Sequence, residues 1–403
     1  MPDAITLAPK VRAETRRPRI ALFGGYGSGN FGNDASLEAI ATFLREERPD
    51  AELSSICTGP EFVTQRYGLA AIRNGIRPKS KLGNALDKLL LRQPSLWASW
   101  LHCLRALGRY DTVLVAGTGV FDDFRDHPFG WPSRLLRWGL AARARGVRVS
   151  YVSVGAGPIV HPLSRMLMKW AAQLGHSRSY RDADSRDFMV RLGVNDSASE
   201  VLPDLAFLLP RRPDAPRPAD ALTIGVGVMT YRGWHASDRA YNAYLDLHER
   251  LIRWIEAQGH RVRVVIGQTP ADLAAVRELE KRLGRPLLSA ADEKMDSFHD
   301  AMSAIAETDL VVASRYHVQI AALKMRRPLI SLGYAPKNDA LMELAGLSEF
   351  AHNVEAADFD KLTQQIEIMG QDCSKYAAIV DANVSALELR LREALRQLDG
   401  VRR

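Results

Sequence analysis

Two short apolar runs stand close together near the C-terminal third of the chain, Asp309–Val312 and Pro328–Leu332, and the residues between them carry a helical stripe, Ile320, Ala321, Leu323 and Lys324. Runs this short are strand-length. Two parallel strands cannot be closed by a tight turn and need a crossover, so strand, helix and strand here read as a βαβ unit. That places the chain in the α/β class with a parallel sheet. In such a sheet ligands sit beyond the carboxyl ends of the strands. Ser314, Arg315, Tyr316 and His317 occupy that position. Ser314 suits the N-cap of the helix. The first turn offers free N–H groups and the positive end of the helix dipole, and Arg315 adds a permanent cation with a fork of donors. His317 adds an imidazole that titrates near neutral pH. The group reads as a cradle for phosphate or carboxylate, or, more plainly, as a capped helix with a surface arginine and a packed histidine.

The same strand-to-turn exit recurs upstream. Arg19–Phe23 runs into a glycine turn, Gly24 to Asp34, that also holds Asn30 and Asn33, and a helix follows to about Arg45. Gly24, Gly27 and Gly29 do not fit the dinucleotide spacing, and Cys57-Thr58-Gly59 stands where an acidic residue would close the second strand. A nicotinamide dinucleotide is therefore not expected. The turn still lets a ligand approach the backbone at a helix start. Asp34 reads either as the cap of that helix or as a group orienting a substrate hydroxyl. Thr112–Ala116 enters Gly117-Thr118-Gly119 and leaves through Asp122 and Asp123; Val147–Val154 enters Gly155-Ala156-Gly157; Ser177–Asp182 is a shorter strand with Arg181 and Asp182 at its carboxyl end; Val201–Phe207 closes the half. Such exits on one edge would line one face of a doubly wound sheet.

At 403 residues the chain can bury two cores. The proline- and charge-rich stretch 208–220 marks the division. The expected layout is a basic disordered leader at 1–18, an N-terminal domain at 19–210, a linker at 211–220 and a C-terminal domain at 221–403. The last helical pattern, Lys375–Leu398, is long enough to pack back on the N-terminal domain. Two Rossmann-like doubly wound domains in a GT-B-like arrangement, with a cleft between them, account for this layout.

A net charge of +7 favours anionic partners. Cys57, Cys103 and Cys373 are too far apart for a CxxC site, so neither a metal nor a disulfide framework is expected, and the reading is a cytoplasmic protein. No stretch has the apolar length of a membrane span or the core of a signal peptide. From Arg66 to Arg92 there are seven Lys and Arg against one acid, Asp87, followed by Trp97, Trp100 and Leu101. This basic stripe of 66–106 reads as a membrane-surface helix or as a helix packed on the sheet. No RNP-type or zinc motif accompanies the charge, so nucleic acid is not expected.

Several separate motifs over residues 20–350 resemble the polysaccharide pyruvyl transferase family. They are Gly29-Asn30-Phe31-Gly32-Asn33-Asp34; Gly117-Thr118-Gly119 with Phe121 and Asp123; Gly155-Ala156-Gly157-Pro158; Arg181-Asp182 with Ser185; Pro203-Asp204; and Ser314-Arg315-Tyr316-His317 followed by Tyr334 and Lys337. The last is the most specific. Asn33 departs from the Gly-Asp pair common in that family, and Ala116 to Gly119 replaces a fuller glycine run. The resemblance implies phosphoenolpyruvate as donor, a saccharide acceptor on the first-domain side, and no cofactor. It implies catalytic roles for His317, Arg315 and Asp34. It implies donor binding by Arg181, Arg315, Ser314, Tyr316 and Lys337, and acceptor binding by Asn30, Asn33, Gly117, Gly119 and Asp123. The acceptor is expected to be lipid-linked, with peripheral contact at the inner membrane leaflet. Two other readings stay open: a GT-B glycosyltransferase using a nucleotide sugar, with Asp339 or Glu343 on a ribose, and a non-catalytic member of a polysaccharide assembly complex.

Overall fold

A computed structural model of the chain describes residues 16–76, 93–123, 126–216, 220–233 and 237–398. Most of the expected leader, residues 77–92 of the basic stripe and residues 217–219 of the linker lie outside the described residues.

The first half forms a seven-stranded parallel sheet from β1 (Arg19–Phe23), β2 (Glu52–Cys57), β3 (Ala70–Arg73), β4 (Thr112–Ala116), β5 (Arg148–Val154), β6 (Ser177–Tyr180) and β7 (Glu200–Val201). Its order is β3-β2-β1-β4-β5-β6-β7. The helices are α1 (Phe31–Glu47), α2 (Pro60–Tyr67), α3 (Gln93–Leu107), α4 (Trp131–Ala144), α5 (Pro162–Gln173) and α6 (Ala183–Arg191). From β1 the chain winds outward to β3, and from β4 it winds the other way to β7. Right-handed crossovers then put α1 and the α4–α6 group on opposite faces. Alternation along β1 shows it: Ala21 and Phe23 pack in one core with α3, α4 and α5, whereas Ile20 and Leu22 pack in the other with α1.

The second half is a five-stranded parallel sheet, ordered β12-β11-β10-β8-β9, from β8 (Thr223–Gly227), β9 (Arg261–Val265), β10 (Leu310–Ala313), β11 (Leu329–Gly333) and β12 (Ala351–Asn353). Its helices are α7 (Asp238–Ala257), α8 (Ala271–Leu283), α9 (Phe298–Ala306), α10 (Tyr316–Lys324), α11 (Pro336–Leu344), α12 (Phe359–Gln371) and α13 (Cys373–Gln397). β10 is central: Val311 pairs with Leu329 on one side and Gly225 on the other, and the whole strand is buried. The βαβ unit read from the sequence is therefore β10-α10-β11.

The α1 core continues into the second half. Lys324 at the end of α10 donates to the Phe207 carbonyl at 2.7 Å and to Glu388 of α13 at 2.6 Å. Further along α13, Arg392 and Arg396 reach Glu46 and Glu47 at 3.3 and 2.8 Å. The last helix thus crosses the junction. The basic stripe differs from the expected single helix: Gly68, in the left-handed region at φ 64°, ends α2, β3 forms a sheet edge, and α3 follows beyond it at Gln93–Leu107. No helix among the described residues is long and apolar enough to cross a membrane.

Candidate active site between the two sheets

The carboxyl ends of the two sheets meet. After β1 the chain turns through glycines, and Asn30 forms an isolated antiparallel bridge with Gln268, which follows β9. Asn30 also caps α1, its Oδ1 accepting from the N–H groups of Gly32 at 3.1 Å and Asn33 at 3.4 Å. Asp34 is therefore not the cap. Its Oδ1 accepts from Gly27 N–H at 2.7 Å and pins the glycine turn. Burial pushes the Asp34 carboxyl up to about 6, against the Gly27 hydrogen bond and the charge of Arg66. Asn33 lies half-buried beside Gly25.

The turn after β4 presses on the same helix. Gly117 holds φ 57°, and a Cβ there would fall 2.5 Å from the Ser36 side chain, so both backbone and space call for glycine. Gly119 is half-buried beside it. Asp123 is buried, and its Oδ2 accepts from Val160 N–H at 3.0 Å, joining the turns after β4 and β5.

Arg181 ends β6 and lies against the backbone of Gly155, where a Cβ would come within 2.5 Å of the guanidinium carbon. It stacks across the junction on the Tyr316 ring, 5.0 Å from its centre. Its Nε, 3.4 Å from Asp182 Oδ2, makes no hydrogen bond among the described residues. Asp182 caps α6 with its other oxygen, bonded to Ser185 N–H at 2.7 Å. Burial works against the charge of Arg181, and the surrounding groups, Asp182 and Asp204 among them, more than restore it.

On the opposite wall Arg315, not Ser314, is the N-cap of α10, and no side chain caps its first turn. Ser314 is fully buried, its carbonyl accepting from Asn338 Nδ2 at 3.3 Å. Arg315 does not present an open fork. One Nη bonds the buried Asp272 and the other donates to Gln268 Oε1 at 3.1 Å. Since Gln268 bridges to Asn30, this ion pair holds the second-half segment that touches the first half. Lys337, in the first turn of α11, sits 5.4 Å from the Tyr316 ring centre and 5.0 Å from that of Tyr334. Arg181, Tyr316, Lys337 and Tyr334 thus form one row of alternating cations and phenols. Burial raises the Tyr334 phenol, but Lys337, Arg315 and Arg181 outweigh it and hold it below its ordinary range.

His317 is the second residue of α10. Its ring lies on Gly32 of α1: a Cβ on that glycine would stand 2.1 Å from three ring atoms. Its Nε2 faces Asp204 Oδ2 at 3.7 Å, and neither atom has a hydrogen bond among the described residues. The other Asp204 oxygen accepts from Ala206 N–H at 3.0 Å. Burial depresses the imidazole, assisted by Arg181 and Lys337, while Asp204 opposes the shift. Burial would raise the Asp204 carboxyl, yet His317 and Arg181 hold it below its usual range.

Of the residues singled out in the sequence, Arg181, Tyr316, His317 and Lys337 converge at the uncapped start of α10. Asn30, Asn33 and Asp34 lie on the adjoining first-half wall, and Gly117, Gly119 and Asp123 shape the turns behind it. Arg315 and Ser314 sit below the surface of the site. The roles of Asp204 and Gly32 were not foreseen. Pro203-Asp204 and Tyr334 stood among the motifs, but nothing in the sequence pairs Asp204 with a histidine over a hundred residues away. No group of His, Cys, Asp and Glu among the described residues is arranged to hold a metal ion.

The family model for polysaccharide pyruvyl transferase matches residues 30–336. No curated protein matches the chain. Among solved structures, a glycosyltransferase from Rickettsia africae superposes with a TM-score of 0.57 at 10% identity, covering 95% of this chain and 98% of that one. The S. aureus MnaA–UDP structure gives 0.56 at 13% identity, with 94% and 96% covered. The UDP-GlcNAc 2-epimerase of Neisseria meningitidis, bound to UDP-GlcNAc, gives 0.54 at 10% identity, with 94% and 100% covered. At these identities the likeness is one of fold, and it places the chain among GT-B-type architectures.

Proposed function

Because the chain belongs to the polysaccharide pyruvyl transferase family, we propose that it moves the pyruvate group of phosphoenolpyruvate onto two hydroxyls of a saccharide, forming a ketal. The observation that carries this reading is the convergence of Arg181, Lys337 and the bare first turn of α10 around Tyr316, with His317 alongside. A small donor with a phosphate and a carboxylate needs two cationic positions close together. Arg181 and Lys337 provide them from opposite halves, and the free N–H groups of the helix start add a third. Arg315, already bound to Asp272, acts beneath the site by holding that helix start in place.

In the proposed reaction the donor's methylene carbon takes a proton and becomes a methyl group. Positive charge grows at C2, and one saccharide hydroxyl bonds there. The C2–O bond to phosphate breaks, and a second hydroxyl closes the ketal. The two hydroxyl protons end on the methyl group and on the departing phosphate. His317 moves the proton at carbon, with Asp204 behind it as a positioning residue. Asp34 and Asn33, on the first-half wall, are the groups placed to orient the acceptor. The acceptor is a cell-surface polysaccharide unit, lipid-linked and met at the inner face of the plasma membrane.

Mass spectrometry of candidate saccharides incubated with the protein and phosphoenolpyruvate tests this, the expected gain being one pyruvate ketal with release of one phosphate. His317→Ala should abolish that gain in a folded protein. Calorimetric binding of a nucleotide sugar, with none of phosphoenolpyruvate, would instead support sugar transfer with Asp339 or Glu343 on the ribose.

A further inference from the structure

The outer helical layer of the first half carries a pattern that group transfer does not use. Helices α3, α4 and α5 pack on one face of the sheet through Cys103, Leu107, Leu135, Trp138, Met168 and Ala172. Together they hold six basic residues, Arg105, Arg134, Arg137, Arg143, Arg165 and Lys169, and no aspartate or glutamate. Their outward side leaves Trp97, Leu101, Leu140, Met166 and Trp170 in solvent. Trp97 is 73% exposed; the loops before α4 and α5 add Phe129 at 62% and Val160 at 71%.

These apolar side chains are not spread evenly. In a parallel sheet a helix that follows a strand begins at the strands' carboxyl edge, the edge that holds the site. Trp97 lies in the first half of α3, Phe129 just before α4, and Val160 and Met166 around the start of α5, while Leu101, Leu140 and Trp170 lie past the middle of their helices. The three most exposed, Trp97, Val160 and Phe129, are thus at the crevice end of the layer. The acid beside Phe129, Asp126, is folded back on the amides of His127 and Trp131 at 2.8 Å each. The opposite layer, α1, is covered by the second half and α13.

Exposed apolar groups rimmed by charge mark an interaction surface. Three consecutive helices of one sign suit a plane of uniform negative charge, and tryptophan beside arginine suits the headgroup region of a bilayer. We infer that the α3–α4–α5 layer docks on an anionic lipid bilayer, with Trp97, Leu101 and Phe129 inserted among the headgroups. Docking in this way turns the crevice toward the lipid surface, where a lipid-linked acceptor would be presented; that last consequence rests on the reaction proposed above, and the docking does not.

The test is flotation of the full chain with phosphatidylcholine vesicles, with and without phosphatidylglycerol. The expected result is binding to the anionic vesicles, weakened by salt, and reduced about tenfold or more by Trp97→Ser with Phe129→Ser, or by Arg105→Glu with Arg143→Glu. Brominated lipids should quench the wild-type tryptophan fluorescence, and Trp97→Phe should remove part of that quenching. Turnover of phosphoenolpyruvate with a soluble saccharide should be unchanged in these variants, so failure of the reaction and failure of docking are read separately. No vesicle binding at low salt would overturn the inference. Equal binding by both double variants would do the same, as would loss of self-association in place of vesicle binding.

Discussion

Replacing Gly32 with alanine sets a local helix gain against a clash with His317 across the site. Gly32 is the second residue of α1 and has ordinary helical geometry, so alanine is locally welcome there and should favour the helix by up to about 1 kcal/mol. The new Cβ, however, would stand 2.1 Å from Cγ, Nδ1 and Cε1 of His317. Ordinary carbon contact is about 3.5 Å, so the imidazole must retreat by roughly 1.4 Å or the two halves must part by as much. Misplacing a reacting group by about 1 Å can cost on the order of a hundredfold in rate. Overpacking of about 1 to 3 kcal/mol outweighs the helix gain, so Gly32→Ala should unfold a few degrees below the wild type, while kcat/KM for phosphoenolpyruvate-dependent ketal formation falls about a hundredfold. The loss should run through the histidine: in a His317→Ala background the alanine should add nothing further. A folded Gly32→Ala variant with wild-type turnover would refute the reasoning. So would a loss that adds in full to that of His317→Ala, since the steric contact would then be acting elsewhere.

Three further outcomes follow from the same geometry. Asp204→Asn keeps the acceptor for Ala206 N–H but removes the anion facing His317. The imidazole pKa should drop further below its ordinary value, seen in the histidine nitrogen shifts, and the alkaline limb of kcat/KM should move to lower pH with it; an unmoved titration would reject the pairing. Arg315→Ala leaves the fully buried Asp272 without its cation, so urea denaturation should show a loss of roughly 3 kcal/mol, with unchanged stability as the contrary result. Asp34 has a folded pKa raised to about 6 from 3.8 by burial. Its stabilising contribution is complete below the unfolded value and is lost as pH rises through about 6. Asp34→Asn should therefore be more stable than the parent at pH 8, by about 1 to 3 kcal/mol, with the gap closing near pH 4. If that variant also loses turnover, the carboxylate is retained for the acceptor at the expense of the fold.

What the sequence disclosed and what it hid divide along one physical line. A central parallel strand is buried on both faces, so it reads as an apolar run, and β1, β4, β5, β10 and β11 are all visible in that way. The edge strands β3 and β12 are short and partly exposed, and no apolar run marks them. The helix starts beyond the central strands were legible for the same reason, which is why Arg181 and His317 stood out. Side-chain commitments between distant segments were not legible. Arg315 looked like an open anion fork because a sequence shows a cation and not the Asp272 that already holds it. His317 looked complete in itself, although Gly32 supports its ring and Asp204 faces its nitrogen, both from the other half of the molecule. The charge pattern divides in a related way. The dense basic run at 66–92 stands out along the chain, whereas the acid-free layer joins α3 to a long stretch, His127 to Arg181, that has no aspartate or glutamate at all; Asp111, Asp122, Asp123 and Asp126 lie between the two. A run of charge along the sequence is a property of the chain, but an unbroken electrostatic face is a property of the topology. The acid-free stretch can be counted in the sequence, but that α3, α4 and α5 share one face follows only once the sheet has determined which helices lie side by side.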